Sequence, residues 1–276
     1  MTKVVAGIVT YNPDLNRLKQ VIEAIEDQVA EIVIVDNASQ KFDEIQDNFQ
    51  DKTIISFTTN RGIATALNRI NQFAIDEEAG WVLTLDQDSV VNKNLVGTYF
   101  EYLKQITDYQ QTIGAINSQY EVKDVYVKKS SHVEEDLDVI TSGLLTNVRA
   151  LNSGIGYDDN MFIDLVDFDF NYTLNSRGYL VLRAPFVGYQ HELGSDVKRV
   201  RFFNKYISVI NYSTFRIYYQ WRNLIYFYRK WHTTKYFLSF SKQTMKRLIY
   251  TGNRLSQIGA ILRGIWNGSR LHIKRK

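Results

Sequence analysis

Two carboxylates one residue apart follow a short apolar run in the segment WVLTLDQDS, residues 81–89. The run has the length and composition of a strand buried on both faces, and Asp86 and Asp88 come directly after it. In open α/β sheets, ligands bind beyond the carboxyl ends of the strands, so both side chains are expected to face a ligand. Carboxylate oxygens suit Mg²⁺ or Mn²⁺, and these ions in turn favour phosphate oxygens. The pair therefore indicates metal-assisted chemistry on a diphosphate.

The same spacing occurs twice more, in Asp136-Leu137-Asp138 and in Asp167-Phe168-Asp169. Most acids spaced in this way are turn residues or lie on solvated faces, so the spacing alone does not identify a metal site. The position of Asp86 and Asp88 at the end of a buried strand is what sets them apart.

The first ninety residues alternate strand and helix patterns, which predicts an α/β fold with a mostly parallel sheet. Strands are predicted at Val4–Val9, Glu31–Asp36, Thr53–Phe57 and Trp81–Leu85, and helices at Leu15–Gln28, Phe42–Phe49 and Gly62–Ile75. Turn and cap residues precede two of the helices, namely Asn12-Pro13-Asp14 and Asn60-Arg61-Gly62.

The pattern is weaker over the next hundred residues. The predicted elements are a helix at Leu95–Leu103, a strand at Thr112–Asn117, a surface loop at Lys123–Asp138, a strand at Val139–Val148 with a break at Ser142-Gly143, and a turn at Gly154–Asp159.

Composition excludes several classes of protein. A chain of 276 residues that is 45% hydrophobic can bury a full core. It contains no cysteine, which excludes disulfides, thiolate metal sites and thiol nucleophiles and is compatible with a reducing cytoplasm. The first residues, MTKVVAGIVTYNP, resemble a first strand rather than a signal peptide, and no apolar window is long enough to span a membrane. A cytoplasmic location is expected.

The charge is divided sharply along the chain. Positions 1–197 hold 30 acidic and 15 basic residues, whereas positions 198–276 hold 18 basic and no acidic residues. The pattern after Lys198 is typical of helices, rich in aromatic residues, and later becomes a basic amphipathic helix with Leu255, Leu262 and Trp266 at helical spacing. This region is expected to face something anionic.

Polar clusters follow the strand patterns in a fixed order: Asp36-Asn37-Ala38-Ser39, Asn60-Arg61-Gly62, Asp86-Gln87-Asp88 and Asp164–Asp169. This ordered set resembles the family 2 inverting glycosyltransferases with the GT-A fold. The segments TYNP, IVIVDNAS, NRGIATALN, LTLDQDS and FIDLVDFDF and a later RN pair are most similar to bacterial rhamnosyltransferases, and the resemblance covers roughly residues 4–230. It implies a GT-A catalytic domain over residues 1–200, with a nucleotide-sugar half at about 1–90 and an acceptor half at about 91–200, followed by a helical region at 201–276.

The resemblance also implies roles for individual residues on the donor side. Those of the nucleotide pocket are Thr10, Asp36, Arg61, Asp86 and Arg222, and those of the Mg²⁺ or Mn²⁺ site are Asp88 and His191. Two of these assignments have plain alternatives. Asp36 is equally suited to an Asx-type turn or a helix cap, and a lone histidine such as His191 is commonly an ordinary hydrogen-bonding residue.

The segment Phe162–Tyr179 resembles the part of the family that carries the catalytic base, and Asp167 is the predicted base. Inverting transfer needs one carboxylate to take the proton of the acceptor hydroxyl. The family commonly has Glu before this Asp, where this chain has Val166, and this departure leaves Asp164 as a rival. The residues assigned to the acceptor side or to supporting positions are Asp164, Asp169, Ser142 and Gly143. An acidic helix N-terminus stabilised by the helix dipole would also explain the acids.

The function implied by the resemblance is transfer of L-rhamnose from dTDP-β-L-rhamnose to a hydroxyl of a bacterial cell-surface polysaccharide precursor, with a lipid-linked saccharide as acceptor. The alternative within the enzyme class is a glucosyl, galactosyl or N-acetylglucosaminyl transferase that uses a UDP-sugar.

The basic C-terminal region leaves three interpretations open. Aromatic and basic residues together can bind nucleic acid, but the acidic front of the chain argues against a nucleic-acid partner. Docking on the anionic inner face of the cell membrane explains the pattern better. The third interpretation is that the aromatic residues pack on the catalytic domain or in a homo-oligomer and the charge is merely solvated.

Overall fold

The computed structural model describes residues 2–106, 112–122, 131–191, 197–202, 205–210 and 212–273. Its contacts divide the chain into two compact units. The first unit comprises Met1–Asp159 and Val166–Glu192, and the second comprises Asn160–Leu165 and Leu193–Arg275. The segment Asn160–Leu165, which directly precedes the helix of the predicted base, thus belongs to the second unit, although the residues on both sides of it belong to the first.

Nine strands of the described residues form one mixed sheet in the first unit. They are β1 (Val4–Thr10), β2 (Glu31–Asp36), β3 (Thr53–Ser56), β4 (Trp81–Asp86), β5 (Val90–Val91), β6 (Ile113–Val122), β7 (Glu134–Glu135), β8 (Leu144–Asn147) and β9 (Leu180–His191). The order across the sheet is β3-β2-β1-β4-β8-β6-β9-β5, and β7 pairs with β9. The strands β1 to β4 are parallel to their neighbours in this group, and β8 is antiparallel to both β4 and β6.

Helices surround the strands of this unit: α1 (Leu15–Ile25, followed by a 3-10 turn at Glu26–Gln28), α2 (Phe42–Asn48), α3 (Ile63–Asp76), α4 (Leu95–Gln105), α5 (Val148–Asn152) and α6 (Val166–Ser176). The first begins where the sequence predicts, because the Asp14 carboxylate accepts hydrogen bonds from the backbone N–H groups of Asn16 and Arg17. Its buried face consists of Leu18, Val21, Ile22 and Ile25, which lie at helical spacing.

The α/β fold class and the parallel β/α alternation of the first ninety residues are confirmed to within three residues at each end. The predicted strand at Val139–Val148 is wrong in extent, because only Leu144–Asn147 pairs as β8 and Val148 already starts α5. Gly143 has a φ of +75°, which a strand does not accommodate. In the predicted loop Lys123–Asp138, residues 123–130 lie outside the described residues, and Glu134–Glu135 forms the short β7.

The second unit contains a two-stranded antiparallel ribbon, β10 (Val197–Phe202) and β11 (Lys205–Ile210), and then α7 (Thr214–Trp231), α8 (Phe237–Tyr250) and α9 (Arg254–Arg270). The helices confirm the helical C-terminal region, but the prediction of helix directly after Lys198 is wrong. The β-branched residues Val197, Val200 and Ile207 favour a pleated ribbon over a helix. No helix of the described residues is both long enough and apolar enough to cross a membrane.

Candidate active site

Three polar residues of the predicted donor pocket end adjacent parallel strands. In the register of the sheet Thr10 lies opposite Asp36, and Val9 lies opposite Asp86. The buried runs of β1, β2 and β4 therefore deliver one hydroxyl and two carboxylates to the same edge, as predicted from the strand ends.

Asp36 is fully buried, and its carboxylate accepts hydrogen bonds from neighbouring residues. The Thr10 hydroxyl donates to Asp36 Oδ1 at 2.9 Å, and the Ser39 backbone N–H donates to Oδ2 at 2.8 Å. The Ser39 hydroxyl also donates to Oδ1. These are the contacts of an Asx-type turn, the alternative interpretation of Asp36, and they fix the loop after β2. A nucleotide contact by Thr10 or Asp36 stays a prediction.

Arg61 extends from the turn before α3. Its backbone N–H donates to Asn37 Oδ1 at 2.8 Å, so the turn is tied to the loop after β2. Its guanidinium lies over the Phe57 ring, 5.4 Å from the centroid, and the residue is exposed. An exposed guanidinium held at this edge is able to meet an anionic ligand.

The acids after β4 are electrostatically coupled to Asp167. Burial, and then the negative charges of Asp167 and Asp88, raise the pKa of Asp86 from 3.8 to about 7. The structure thus brings together Asp86, Asp88 and Asp167, although about eighty residues separate the first pair from the last. A concentration of negative charge of this kind favours protons or cations.

Asp167 is the second residue of α6, and it accepts a hydrogen bond from the Thr141 hydroxyl. The loop that carries Thr141 is held by buried amides and a phenol. Asn117 Nδ2 donates to the carbonyl oxygens of Ile140 at 2.7 Å and Ser142 at 3.0 Å. The Tyr99 hydroxyl donates to the Gly143 carbonyl oxygen at 2.8 Å. The Thr141 donor is therefore mounted on a rigid loop.

Ser142 and Gly143 lie beside the end of β4. The Ser142 hydroxyl accepts from the Asp86 backbone N–H at 3.2 Å, and the Gly143 N–H donates to Thr84 O at 2.8 Å. A Cβ atom on Gly143 would come within 2.5 Å of the Tyr189 ring. Both residues thus shape the acidic edge, and contact with an acceptor remains a prediction for them.

Two residues of this cluster were not predicted from the sequence. One is Thr141, and the other is Tyr157, whose buried hydroxyl has a pKa raised above its usual range by burial and then by the negative charge of Asp167. The threonine stands next to the predicted Ser142-Gly143 pair, which is a weak signal. The tyrosine lies in the turn 154–159, and nothing in its spacing marks it.

Other predicted residues have separate surroundings. Asp169 is buried in the first turn of α6. Asp164 and Arg222 belong to the second unit, where Asp164 pairs with Arg216 at 3.2 Å and Arg222 lies over the Tyr219 ring, 4.5 Å from the centroid. The backbone of His191 ends β9 opposite Val122, while its side chain lies outside the described part of the structure.

The spare Asp-x-Asp pair at residues 136–138 is explained without a metal. Asp136 Oδ2 accepts from Arg183 Nε at 2.7 Å, and Asp136 Oδ1 accepts from the Asp138 backbone N–H at 2.7 Å. The ion pair with Arg183 of β9 therefore accounts for the Asp136 carboxylate, and metal binding by Asp86 and Asp88 stays a prediction.

The carboxylates after β4 fit a divalent cation. Asp86 and Asp88 supply hard oxygen ligands, and a cation would offset the burial and the negative charges of Asp167 and Asp88 that together raise the pKa of Asp86. Among the described residues no group of three or more His, Cys, Asp or Glu side chains is close enough to hold a metal by itself. Further ligands would thus have to complete the shell around a metal held by Asp86 and Asp88.

The chain, a mixed α/β sheet followed by helices, has the GT-A fold. Its fold matches Staphylococcus aureus TarS 1-349 in complex with UDP-GlcNAc, with a TM-score of 0.61 and 13% identity over 96% of this chain and 80% of that one. It also matches GalNAc-T7 with UDP, GalNAc and Mn²⁺, with a TM-score of 0.59 and 14% identity over 94% of this chain and 54% of that one.

The chain belongs to glycosyl transferase family 2, whose family model matches residues 6–168. It is also similar to the dTDP-rhamnosyl transferase RfbF of Shigella flexneri, with 26% identity over 253 residues, or 84% of this chain and 81% of RfbF. The predicted family and enzyme class are confirmed.

Proposed function

We propose that this glycosyltransferase is metal-dependent and inverting, and that it moves L-rhamnose from dTDP-β-L-rhamnose to a hydroxyl of a lipid-linked precursor of a bacterial cell-surface polysaccharide. The likeness to RfbF over most of both chains supports the donor. The observation that supports the proposal most is that the charge of Asp167 raises the pKa of Asp86, because the proposed base would then lie beside the proposed donor-side acids.

In this proposal Asp167 takes the proton of the acceptor hydroxyl while the hydroxyl oxygen attacks the anomeric carbon. The bond from that carbon to the diphosphate oxygen breaks on the opposite face, which gives an α-linked rhamnoside, dTDP and a protonated Asp167. The Thr141 hydroxyl holds the carboxylate in position. Asp164 is less suited to be the base, because the Arg216 guanidinium already compensates its charge.

Asp88, with His191 and the neighbouring Asp86, would hold the Mg²⁺ or Mn²⁺ ion. When bound, such an ion neutralises the charge that develops on the leaving diphosphate. Arg61 supplies a second positive charge from the turn before α3, and the donor-side role of Arg222 is part of the same proposal.

The test is a panel of nucleotide sugars, including dTDP-rhamnose, UDP-glucose, UDP-galactose and UDP-N-acetylglucosamine, scored for metal-dependent release of the nucleoside diphosphate. Release from dTDP-rhamnose alone is expected, whereas a UDP-sugar preference would establish the alternative donor class. Asp167→Asn is expected to lower kcat by about 10²- to 10⁴-fold. Asp88→Asn is expected to abolish the metal requirement together with most activity. The exposed Asp76→Asn is the control for loss of one carboxylate, and full activity of both site variants would reject the assignment.

We also propose that the protein works at the inner face of the cell membrane, where a lipid-linked acceptor is found. Three apolar side chains of α9 support this location, since Leu255 is 86%, Leu262 is 62% and Trp266 is 57% exposed. They recur at helical spacing and so form one stripe, while Ala260, Gly264 and Gly268 on the same helix are buried. A basic helix with an outward apolar stripe fits an anionic bilayer surface.

A further inference from the structure

Two consecutive residues before the helix of the predicted base have an unfavourable backbone conformation. Asp164 has a φ of +64° and Leu165 a φ of +63°. Residues other than glycine rarely adopt the left-handed region, and leucine is poorly suited to it. Val166 then starts α6, and Asp167 is its second residue. Helix α6 therefore begins directly after a turn that the chain does not favour by itself.

Asn223, a fully buried residue of α7, holds this turn within the second unit. Its Nδ2 donates to the carbonyl oxygen of Ile163 at 2.6 Å and to that of Asp164 at 3.0 Å. The guanidinium of Arg222 donates to Asn223 Oδ1 at 2.9 and 3.0 Å, so the amide can only turn its N–H groups towards the two carbonyls. The Arg216 guanidinium also forms an ion pair with the Asp164 carboxylate, with 3.2 Å between Nη2 and Oδ1.

We propose that Asn223 is a positioning residue for the base: by bridging the carbonyls of residues 163 and 164 it stabilises the left-handed turn and thereby fixes the start of α6 and the aim of Asp167. This inference rests on the proposed role of Asp167. Asn223 touches neither the base nor any reacting atom. It acts through the backbone, and Arg222 has the additional task of orienting the Asn223 amide.

The experiment uses Asn223→Asp, which keeps the size of the side chain but removes both N–H donors, and Asn223→Ala as a second variant in case the first does not fold. Asn71→Asp is the matched control, because Asn71 is also a buried asparagine but its Nδ2 has no hydrogen-bond partner among the described residues. Each variant is measured for kcat, for calorimetric binding of dTDP, and for hydrogen exchange of the backbone amides of residues 166–169.

We expect the Asn223 variants to lose about tenfold or more in kcat, because displacements near 1 Å already cost large factors in rate. Binding of dTDP should change less than threefold, and amide exchange in the first turn of α6 should accelerate. Asn71→Asp should keep both kcat and that exchange near the wild-type values.

Unchanged kcat in a folded Asn223 variant would overturn the inference. A loss confined to dTDP affinity would also overturn it, by showing that Asn223 serves a donor contact of Arg222. Failure of the proposed function is distinguishable, since it is read from Asp167→Asn. If Asp167→Asn were fully active while Asn223→Ala accelerated amide exchange, Asn223 would still be shown to stabilise the turn, but Asp167 would be rejected as the base.

Discussion

The Thr141 hydroxyl is a hydrogen-bond donor to the predicted base. Thr141 is almost fully buried, it donates to Asp167 Oδ1, and its own carbonyl accepts from the Thr84 hydroxyl at 2.7 Å. A threonine fixed at its backbone loses little further freedom when it holds a carboxylate. The donor therefore restricts Asp167 to one orientation before any acceptor binds.

Replacement of Thr141 by valine keeps the shape and removes the donor. A hydrogen bond to a charged group contributes about 1.5–3 kcal/mol, so we expect kcat to fall by at least about tenfold with little change in the donor KM. Thr141→Ser keeps the hydroxyl and should retain most of the activity. Steady-state kinetics on both variants provides the measurement, and a fully active Thr141→Val would show that the hydroxyl is not needed to place the base.

Asp86 predicts a pH dependence of stability in the metal-free protein. Its pKa rises from 3.8 to about 7 on folding, so between these values the folded state holds a proton that the unfolded state has released. Stability must then fall as pH rises through this window, because the folded state binds more protons. Asp86→Asn removes this contribution. With a chelator present, the melting temperature of the variant minus that of the wild type should therefore increase from about pH 4 to about pH 7. A constant difference across this range would contradict the raised pKa.

At the scale of elements, the loop between β7 and β8 takes the place of the first half of the strand predicted at Val139–Val148. Gly143 combines a φ of +75° with close approach to the Tyr189 ring, so both its backbone and its lack of a side chain are needed. Its carbonyl also accepts from Tyr99. The kink at Gly143 turns the chain beside the end of β4, where the Thr141 hydroxyl contacts Asp167 of α6.

Gly143→Ala is therefore expected to destabilise the protein by about 2 kcal/mol or more, from backbone strain together with a clash. Gly154→Ala is the matched control, since Gly154 has a φ of +85° but has no atom within 4 Å of the added Cβ. Thermal unfolding of the two variants separates the cost of backbone strain, which both variants carry, from the cost of the clash, which only Gly143→Ala carries. Equal losses of stability would mean that the contact with Tyr189 relaxes and only the strain remains.

The sequence predicts the parallel half of the fold well because its signals are local. Buried runs such as Trp81–Leu85 and caps such as Asp14 determine strands and helix starts within a few residues. The grouping of Asp86 with Asp167 depends on tertiary packing, and only the family resemblance supplied it. Tyr157 had no signal at all, because its burial beside Asp167 follows from the course of a turn and not from spacing.

At the scale of the whole molecule, the two ends of the chain differ in charge and in surface. After residue 197 there is no acidic residue, and seven of the exposed large apolar side chains lie on α8 and α9: Leu238, Met245, Ile249, Leu255, Ile258, Leu262 and Trp266. The opposite face of α9 explains why the four on that helix point outwards. An added Cβ on Gly264 would lie 2.6 Å from Tyr218 O, and one on Gly268 would lie 2.3 Å from Arg222 O, so the glycine face packs directly on the backbone of α7.

This arrangement predicts binding to anionic vesicles. The full-length protein should sediment with phosphatidylcholine vesicles in proportion to their phosphatidylserine content, and less so in high salt, because the charge attraction is screened. Leu255→Ser combined with Leu262→Ser should weaken binding by about tenfold or more, since two apolar side chains no longer enter the interface. Both residues are exposed, so the double variant should fold normally.

The charge contribution is tested by Arg263→Glu on α9 against Lys41→Glu in the first unit, since both substitutions change the net charge equally and both residues are exposed. Only Arg263→Glu should weaken vesicle binding, by several-fold, if the helix face is the docking surface. A symmetric pairing of two copies through this face would bring the arginines of one α9, Arg254, Arg263 and Arg270, against those of the other, and α9 has no acidic residue to offset them. Light scattering should accordingly find no concentration-dependent dimer. A dimer lost in the leucine double variant, together with sedimentation independent of phosphatidylserine, would instead assign the stripe to self-association.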